Sequence, residues 1–265
     1  GRHTYKHLIN AMITIKKDKN YFYSFLFLLI ISYFLTIDNF SLQTAVDGGL
    51  VLSREVEFPD KFTNVTAVHF NSWLFLNHVS LILIKLNFNA FIISKIFLYI
   101  STIFFSFGIF FIVKNLTKST FISLFLVCFT IVGKINLGNL DFPALMYFRG
   151  TYGYYALSTF TIFIGLLFNK NLKLAGFFLV LLFSIHIVVG LWVIFLFFFT
   201  ILFLKFQSNL KKTFNFQDIK NLLLGMFIAS IPTLFSFIEY KKNIIKKNEY
   251  NQENFNTYLN IWDHH

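Results

Sequence analysis

The amino-acid sequence predicts an all-α fold: a polytopic transmembrane helical bundle of about seven spans, with an interfacial helix in its first outer loop. Of the 265 residues, 56% are hydrophobic and only 13% are charged, whereas soluble domains carry about 25% charged residues. The mean hydropathy is +0.66. One cysteine and three prolines exclude a disulfide scaffold and a linker-rich disordered chain.

Seven apolar segments are candidates for the spans, because a membrane-spanning helix needs roughly 20 mostly apolar residues. They cover residues 21–37, 90–113, 119–133, 152–168, 174–189, 190–206 and 222–238. We treat residues 1–265 as a single transmembrane domain. Because the chain begins with Gly1 rather than methionine, we expect it to be a fragment truncated at one or both ends.

The fifth and sixth spans come from one continuous apolar stretch, Leu174 to Phe206. As a single helix this stretch would be ~50 Å long, which exceeds the ~30 Å hydrocarbon core of a bilayer. His186 and Gly190 lie near its middle. The sequence therefore predicts two short helices joined by a hairpin around His186.

The basic residues predict the orientation of the chain. Lys16, Lys17 and Lys19 precede the first span, and the positive-inside rule therefore places the N-terminus in the cytoplasm. The formal net charge of +11 then reflects basic cytoplasmic loops rather than a nucleic-acid partner. In this topology, ten of the twelve acidic residues fall outside, so that the active site of an enzyme would face out.

The first outer loop contains the densest group of charged side chains that could take part in catalysis. Gly48 and Gly49 let its backbone turn sharply and approach a ligand. A carboxylate here could act as a general base or hold a metal, although pairing with Arg54 and Lys61 in an ordinary solvated loop is the alternative. Four carboxylates are candidate catalytic residues: Asp47, Glu55, Glu57 and Asp60.

A helix over His69 to Phe88 is predicted between this loop and the second span. Asn71, His78 and Lys85 are spaced by seven residues and therefore share one helical face. This pattern is typical of an interfacial helix with His78 in its polar stripe. A re-entrant segment lining a cleft is the alternative, in which His78 is a candidate substrate-binding residue.

Three further residues, in two parts of the chain, are candidates for substrate binding. The second outer loop contains Asp141 and Arg149, and an arginine at the interface can hold a phosphate or carboxylate with two hydrogen bonds; an interfacial anchor is the alternative. His186 is an ionisable group within an apolar stretch, which indicates function. It could instead only bond the backbone carbonyls freed at the helix break.

The sequence gives only a weak indication of a metal site and no indication of a nucleotide-binding loop. His264 and His265 follow Asp263 and are weak candidates for metal ligands. The sequence identifies no cofactor, and a divalent metal stays open. It has no Walker loop, so ATP hydrolysis in this chain is not expected.

The layout resembles the GT-C class of membrane glycosyltransferases. The residues that carry the resemblance are Asp47 with its Gly-Gly pair, the loop from Asp141 to Arg149, the hairpin Ser184–Gly190, and His264-His265. Uncharacterised bacterial relatives of that class have a similar histidine followed four residues later by glycine. The resemblance implies a multi-pass protein of the bacterial inner membrane that uses a polyprenyl-phosphate sugar donor at the outer face.

The resemblance also implies roles for residues. Asp47 would be the general base for the acceptor, Arg149 would contact the donor phosphate, and His186 would orient a substrate. The expected partners are the lipid bilayer and the lipid-linked donor, with no nucleic acid. A polysaccharide polymerase or ligase is one alternative function in the cell envelope, and a transporter without catalysis is another, although only one helix break is evident.

Overall fold

The computed structural model describes residues 21–34, 36, 46, 49–50, 74–137, 152–206 and 214–245. All regular structure in these residues is helical, which confirms the predicted all-α class. The eight helices of this part are α1 (Tyr21–Phe34), α2 (Phe75–Lys85), α3 (Ala90–Thr117), α4 (Thr120–Leu137), α5 (Tyr152–Phe168), α6 (Leu172–Ile185), α7 (Ile187–Phe206) and α8 (Phe216–Ile245).

Three of these helices are long and apolar enough to cross a membrane: α3, α7 and residues Phe216–Ile238 of α8. The remaining helices are shorter and apolar; α6, for example, has 14 residues and is therefore ~21 Å long. Together these helices indicate a multi-pass membrane protein.

Aromatic contacts fix the direction of α1 relative to α3. The ring centroids of Tyr21, at the start of α1, and Phe110, near the end of α3, are 6.4 Å apart. Tyr33 at the other end of α1 lies 6.0 Å from Tyr99 in the first half of α3. The two helices are therefore antiparallel.

Helices α3 and α5 run in the same direction and pack through glycine. Phe97 and Tyr155, both in the first halves of their helices, have ring centroids 6.2 Å apart. Further along, a Cβ on Gly108 would lie 2.5 Å from the Thr161 carbonyl oxygen, and one on Gly165 would lie 2.7 Å from the Gly108 carbonyl oxygen. Small residues at these positions let the two backbones approach closely, as is common between membrane helices.

Helices α6 and α8 form a second glycine-packed pair. A Cβ on Gly225 would lie 2.8 Å from the carbonyl carbon of Lys173, and one on Gly176 would lie 3.1 Å from the Met226 nitrogen. Each helix therefore contributes one glycine to the contact, and neither position has room for a larger residue.

The bundle has two ends that are easily distinguished. Helix α2 lies at one end, where it contacts α3, α6 and α8; we call this the α2 end. The turns α3–α4 and α5–α6 lie at the other, where Lys118 and Lys170 adopt left-handed conformations with φ of 59° and 56°. We call this the lysine end, after Lys114, Lys118, Lys170, Lys173, Lys205 and Lys220.

The interior divides into two apolar clusters. One lies toward the lysine end and includes Phe110, Phe163 and Leu179. The other lies toward the α2 end, where Ile84 of α2 packs with Ile93, Phe97, Tyr154, Tyr155, Leu181, Ile185 and Val46. The second cluster attaches α2 firmly to the first turns of α3 and α5 and to the last turn of α6.

The helix bounds differ from the sequence prediction mainly at α2, at the hairpin and at α8, which spans Phe216–Ile245 rather than the predicted 222–238. Helix α5 has the predicted bounds, 152–168. Helix α2 ends at Lys85 rather than at the predicted Phe88, because Asn87 takes a left-handed conformation with φ of 63°. Asn89 then caps α3 by accepting a hydrogen bond from the Phe91 N–H at 2.7 Å. Residues 69–73 of the predicted helix lie outside the described residues. The break in the long apolar stretch lies at His186, between α6 and α7.

Candidate functional site at the α2 end

Helix α2 buries three polar residues against the rest of the protein and leaves part of its apolar surface exposed. Asn77, His78 and Ser80 are only 0%, 3% and 0% exposed, whereas Ile82 and Leu86 are 49% and 62% exposed. A helix lying in the headgroup region would present its polar stripe to water. In the structure Asn77, His78 and Ser80 are buried against protein, whereas Lys85, which shares the predicted face of His78, is exposed.

The imidazole of His78 lies among groups from other helices. Its ring is edge-on to Phe235 of α8, with centroids 6.4 Å apart and an interplanar angle of 77°. Asn77, the preceding residue, is fully buried. These contacts hold His78 inside the bundle, so that its exposure is far lower than the predicted polar stripe requires.

Ser80 lies two residues further along α2 and contacts the segment around Gly49. A side chain at Gly49 would collide with the Ser80 Cβ and would come within 3.0 Å of the Leu81 nitrogen. Among the described residues, the buried Ser80 Oγ has no hydrogen-bond partner. A buried hydroxyl in this condition costs free energy unless a water or a ligand pairs with it.

His186 joins α6 to α7 and caps both helices. Its N–H donates to the Leu182 carbonyl at 2.9 Å, and its own carbonyl accepts from the Gly190 N–H at 2.8 Å. Its Nδ1 accepts from the Val189 N–H at 3.4 Å, which satisfies one of the free donors at the start of α7. The side chain thus bonds a free backbone N–H at the helix break, whereas the alternative from the sequence had it bonding free carbonyls.

A small groove brings His186 next to the start of α2. The groove has a volume of about 210 Å³ and is lined by Leu74, Ile185, His186, Ile187 and Val188. Leu74 directly precedes α2, and His78 lies one helical turn further along. Both described histidines of the predicted site therefore lie beside the first turn of α2.

Several polar residues at this end were not singled out from the sequence. Tyr154 and Thr102 share a hydrogen bond of 3.1 Å between their hydroxyl groups, and Ser94 and Ser184 are fully buried. Asn77 and Ser80 of α2 were not singled out either. Their spacing with Ile84 at i, i+3 and i+7 was the available signal for them, because it places two polar residues on the same face as a buried aliphatic one.

Most predicted site residues lie outside the described residues: Asp47, Glu55, Glu57, Asp60, Asp141, Arg149, His264 and His265. Val46, which precedes Asp47 in the sequence, is fully buried in the α2-end cluster. Within the described ranges, no group of three His, Cys, Asp or Glu side chains could hold a metal ion.

The α2 end can therefore offer an imidazole, an amide and a hydroxyl in a buried setting. Each of these groups can donate or accept hydrogen bonds, and such bonds are stronger in a buried setting than in water. No family model matches the chain, and no curated protein or solved structure is significantly similar to it.

Proposed function

We propose that this protein is a GT-C-like glycosyltransferase of the bacterial inner membrane. It would take a sugar from a polyprenyl-phosphate carrier at the outer face and transfer it to an envelope glycan or lipid. The observation that supports this most is the inward-facing polar side of α2, formed by Asn77, His78 and Ser80. A buried polar end in an apolar bundle suits a substrate with a polar head and a hydrocarbon tail.

In this proposal α1 and α3–α8 cross the membrane in seven passes, with the N-terminus in the cytoplasm. The antiparallel packing of α1 on α3 and the parallel packing of α3 on α5 are what alternating passes require. The lysine end then faces the cytoplasm, in agreement with the positive-inside rule. The α2 end faces outward.

The catalytic assignment combines the sequence with the packing around α2. Asp47 acts as the general base that removes a proton from the acceptor hydroxyl, while Arg149 binds the donor phosphate. The support for Asp47 is that Val46 and Gly49 both pack at the α2 end. His78 and His186 position the substrates.

The test is sugar transfer by the purified protein in lipid nanodiscs. A panel of radiolabelled polyprenyl-phosphate hexoses and pentoses would be supplied with an extracted envelope-lipid fraction as acceptor. We expect Asp47→Asn to lower transfer by about 10²–10⁴-fold, which is the usual contribution of a general base. We expect His78→Gln to raise the KM for the donor more than it lowers kcat.

The matched control is Lys85→Gln, an exposed position on the same helix as His78, which should leave transfer unchanged. Wild-type transfer by a well-folded Asp47→Asn protein would eliminate the base assignment. Elongation of a lipid-linked chain, rather than addition of one sugar, would identify the polymerase alternative. Exchange of a solute across sealed vesicles with no transfer to any acceptor would identify a transporter.

A further inference from the structure

A second apolar feature lies far from the α2 end, between α5 and α7. It is a cleft of about 440 Å³ that includes Phe160, Phe163, Leu167, Val193, Phe197 and Leu204. Phe163 forms its floor and is 1% exposed. Its ring packs edge-on against Phe197 at 5.7 Å between centroids.

The chemistry of the cleft is that of hydrocarbon. Thr200 is the one hydroxyl residue in its lining, and its Oγ1 donates to the Leu196 carbonyl at 2.8 Å. Its hydroxyl hydrogen is therefore already used within the helix. An occupant gains contact with apolar side chains and has little to hydrogen-bond with.

The length of the cleft corresponds to one leaflet of a bilayer. On α7 its lining extends from Val193 to Leu204, which is ~16 Å at 1.5 Å per residue. Half of the hydrocarbon core is ~15 Å thick. The cleft begins near the middle of α5 and α7 and continues to their ends at the lysine end.

Positive charge lies where the cleft ends. Lys205 directly follows Leu204 in α7, and both Leu204 and Leu167 line the cleft. The N–H of Lys170 donates to the Leu167 carbonyl at 3.0 Å, which places this residue against the last turn of α5. Both lysines are exposed. Asp218, in the first turn of α8, accepts a hydrogen bond from the Asn215 N–H at 3.0 Å.

We infer that this cleft is a binding site for an anionic phospholipid. One acyl chain lies between α5 and α7, and the phosphate group lies at Lys170 and Lys205. The charge at one end and the leaflet-length apolar cleft together select a lipid with a negative head group over a neutral one. This site is independent of the proposed glycosyl transfer.

The test is native mass spectrometry of the purified protein, titrated with phosphatidylglycerol and with phosphatidylcholine that has the same acyl chains. Each lysine near a membrane surface contributes about a fivefold gain in binding of an anionic lipid. We expect phosphatidylglycerol to bind roughly 25-fold more tightly. The double variant K170Q/K205Q should lose this preference, whereas K85Q/K118Q should keep it.

The cleft itself is tested with a matched pair of tryptophan variants on α7. Thr200→Trp would fill the cleft and should lower the retention of both lipids at least tenfold. Leu202→Trp, on a neighbouring exposed position outside the lining, should not. Retained phosphatidylglycerol preference in K170Q/K205Q, or unchanged lipid retention in Thr200→Trp, would overturn the assignment; both exposed substitutions leave the buried core intact.

Discussion

Helices α3 and α7 are both long and apolar, yet they occupy opposite environments. In α3, half of the most apolar window of residues is buried within the bundle, whereas in α7 only 6% is. The buried residues of α3 include Ser94, Ser101, Thr102, Ser106 and Gly108, and the buried residue of α7 is Gly190. The buried face of α3 thus contains small residues, which let neighbouring helices approach closely, together with large ones such as Phe97 and Phe110.

The outer surface of α7 is formed by large side chains. Trp192, Phe195 and Phe199 are 61%, 60% and 58% exposed. Lipid tails are as apolar as these side chains, so that no hydrophobic force drives them inward in a bilayer. Close approach at small residues brings α3 and α5 together, whereas these bulky residues of α7 stay exposed on the outside of the bundle.

The largest difference is expected between one phenylalanine in each helix. Phe110 of α3 is fully buried and contacts the rings of Tyr21, Phe25 and Phe111. Phe110→Ala should lower the free energy of unfolding by about 3 kcal/mol, because it leaves a cavity. Phe199→Ala should change it by less than about 0.5 kcal/mol, since lipid fills the space.

Unfolding of the two variants would be followed by titration with a denaturing detergent in mixed micelles. Equal losses for both would show that α7 is covered by protein rather than by lipid. That result would remove the contrast between the two helices.

A smaller effect is expected at the glycine contact of α3 with α5. Gly108→Ala should lower the free energy of unfolding by about 2 kcal/mol, because the new Cβ would meet the Thr161 backbone at 2.5 Å and the helices would have to separate. Gly153→Ala is the control, since Gly153 is exposed on α5. Alanine there should be neutral or slightly stabilising.

These two variants would be compared in the same detergent titration. If the Gly108→Ala and Gly153→Ala proteins have equal free energies of unfolding, α3 and α5 do not pack as closely as in the structure. Small residues would then not be the feature that separates α3 from α7.

The sequence predicts the helices better than it predicts their faces. The bounds of α5 and the start of α3 at Ala90 follow from the length of the apolar segments and the polar residues at their ends. The break in the long apolar stretch is also predicted, but it lies at His186 rather than after Val189. The contact between Gly108 and Gly165 cannot be predicted in this way. The two residues are far apart in sequence, and the hydropathy of a helix does not indicate which other helix it packs against.

Most of the predicted site lies outside the described residues, and α2 shows what the sequence alone leaves open. An amphipathic pattern identifies a polar face, but it does not say whether that face meets water or protein. The sequence therefore left His78 either in a polar stripe at the membrane surface or in a re-entrant segment, and the structure buries it beside Phe235. Only the packing of α2 against α3, α6 and α8 distinguishes the two cases.

The smallest expected effect concerns the way α7 begins. Its first turn depends on the Nδ1 atom of His186, which accepts from the Val189 N–H at 3.4 Å. His186→Ala should lower the free energy of unfolding by about 1 kcal/mol, the usual value for a lost N-cap. His186→Asn should restore most of the loss, because its side-chain oxygen can accept the same hydrogen bond.

The asparagine variant separates the capping role of His186 from its proposed role in positioning a substrate. If His186→Asn restores stability but not sugar transfer, the imidazole is needed for the substrate as well as for the cap. If it restores both, His186 serves only the hairpin, and the polar chemistry of the α2 end depends on α2 itself. Equal stability of the alanine variant and the wild type would instead mean that α7, packed so little against the bundle, begins without help from its cap.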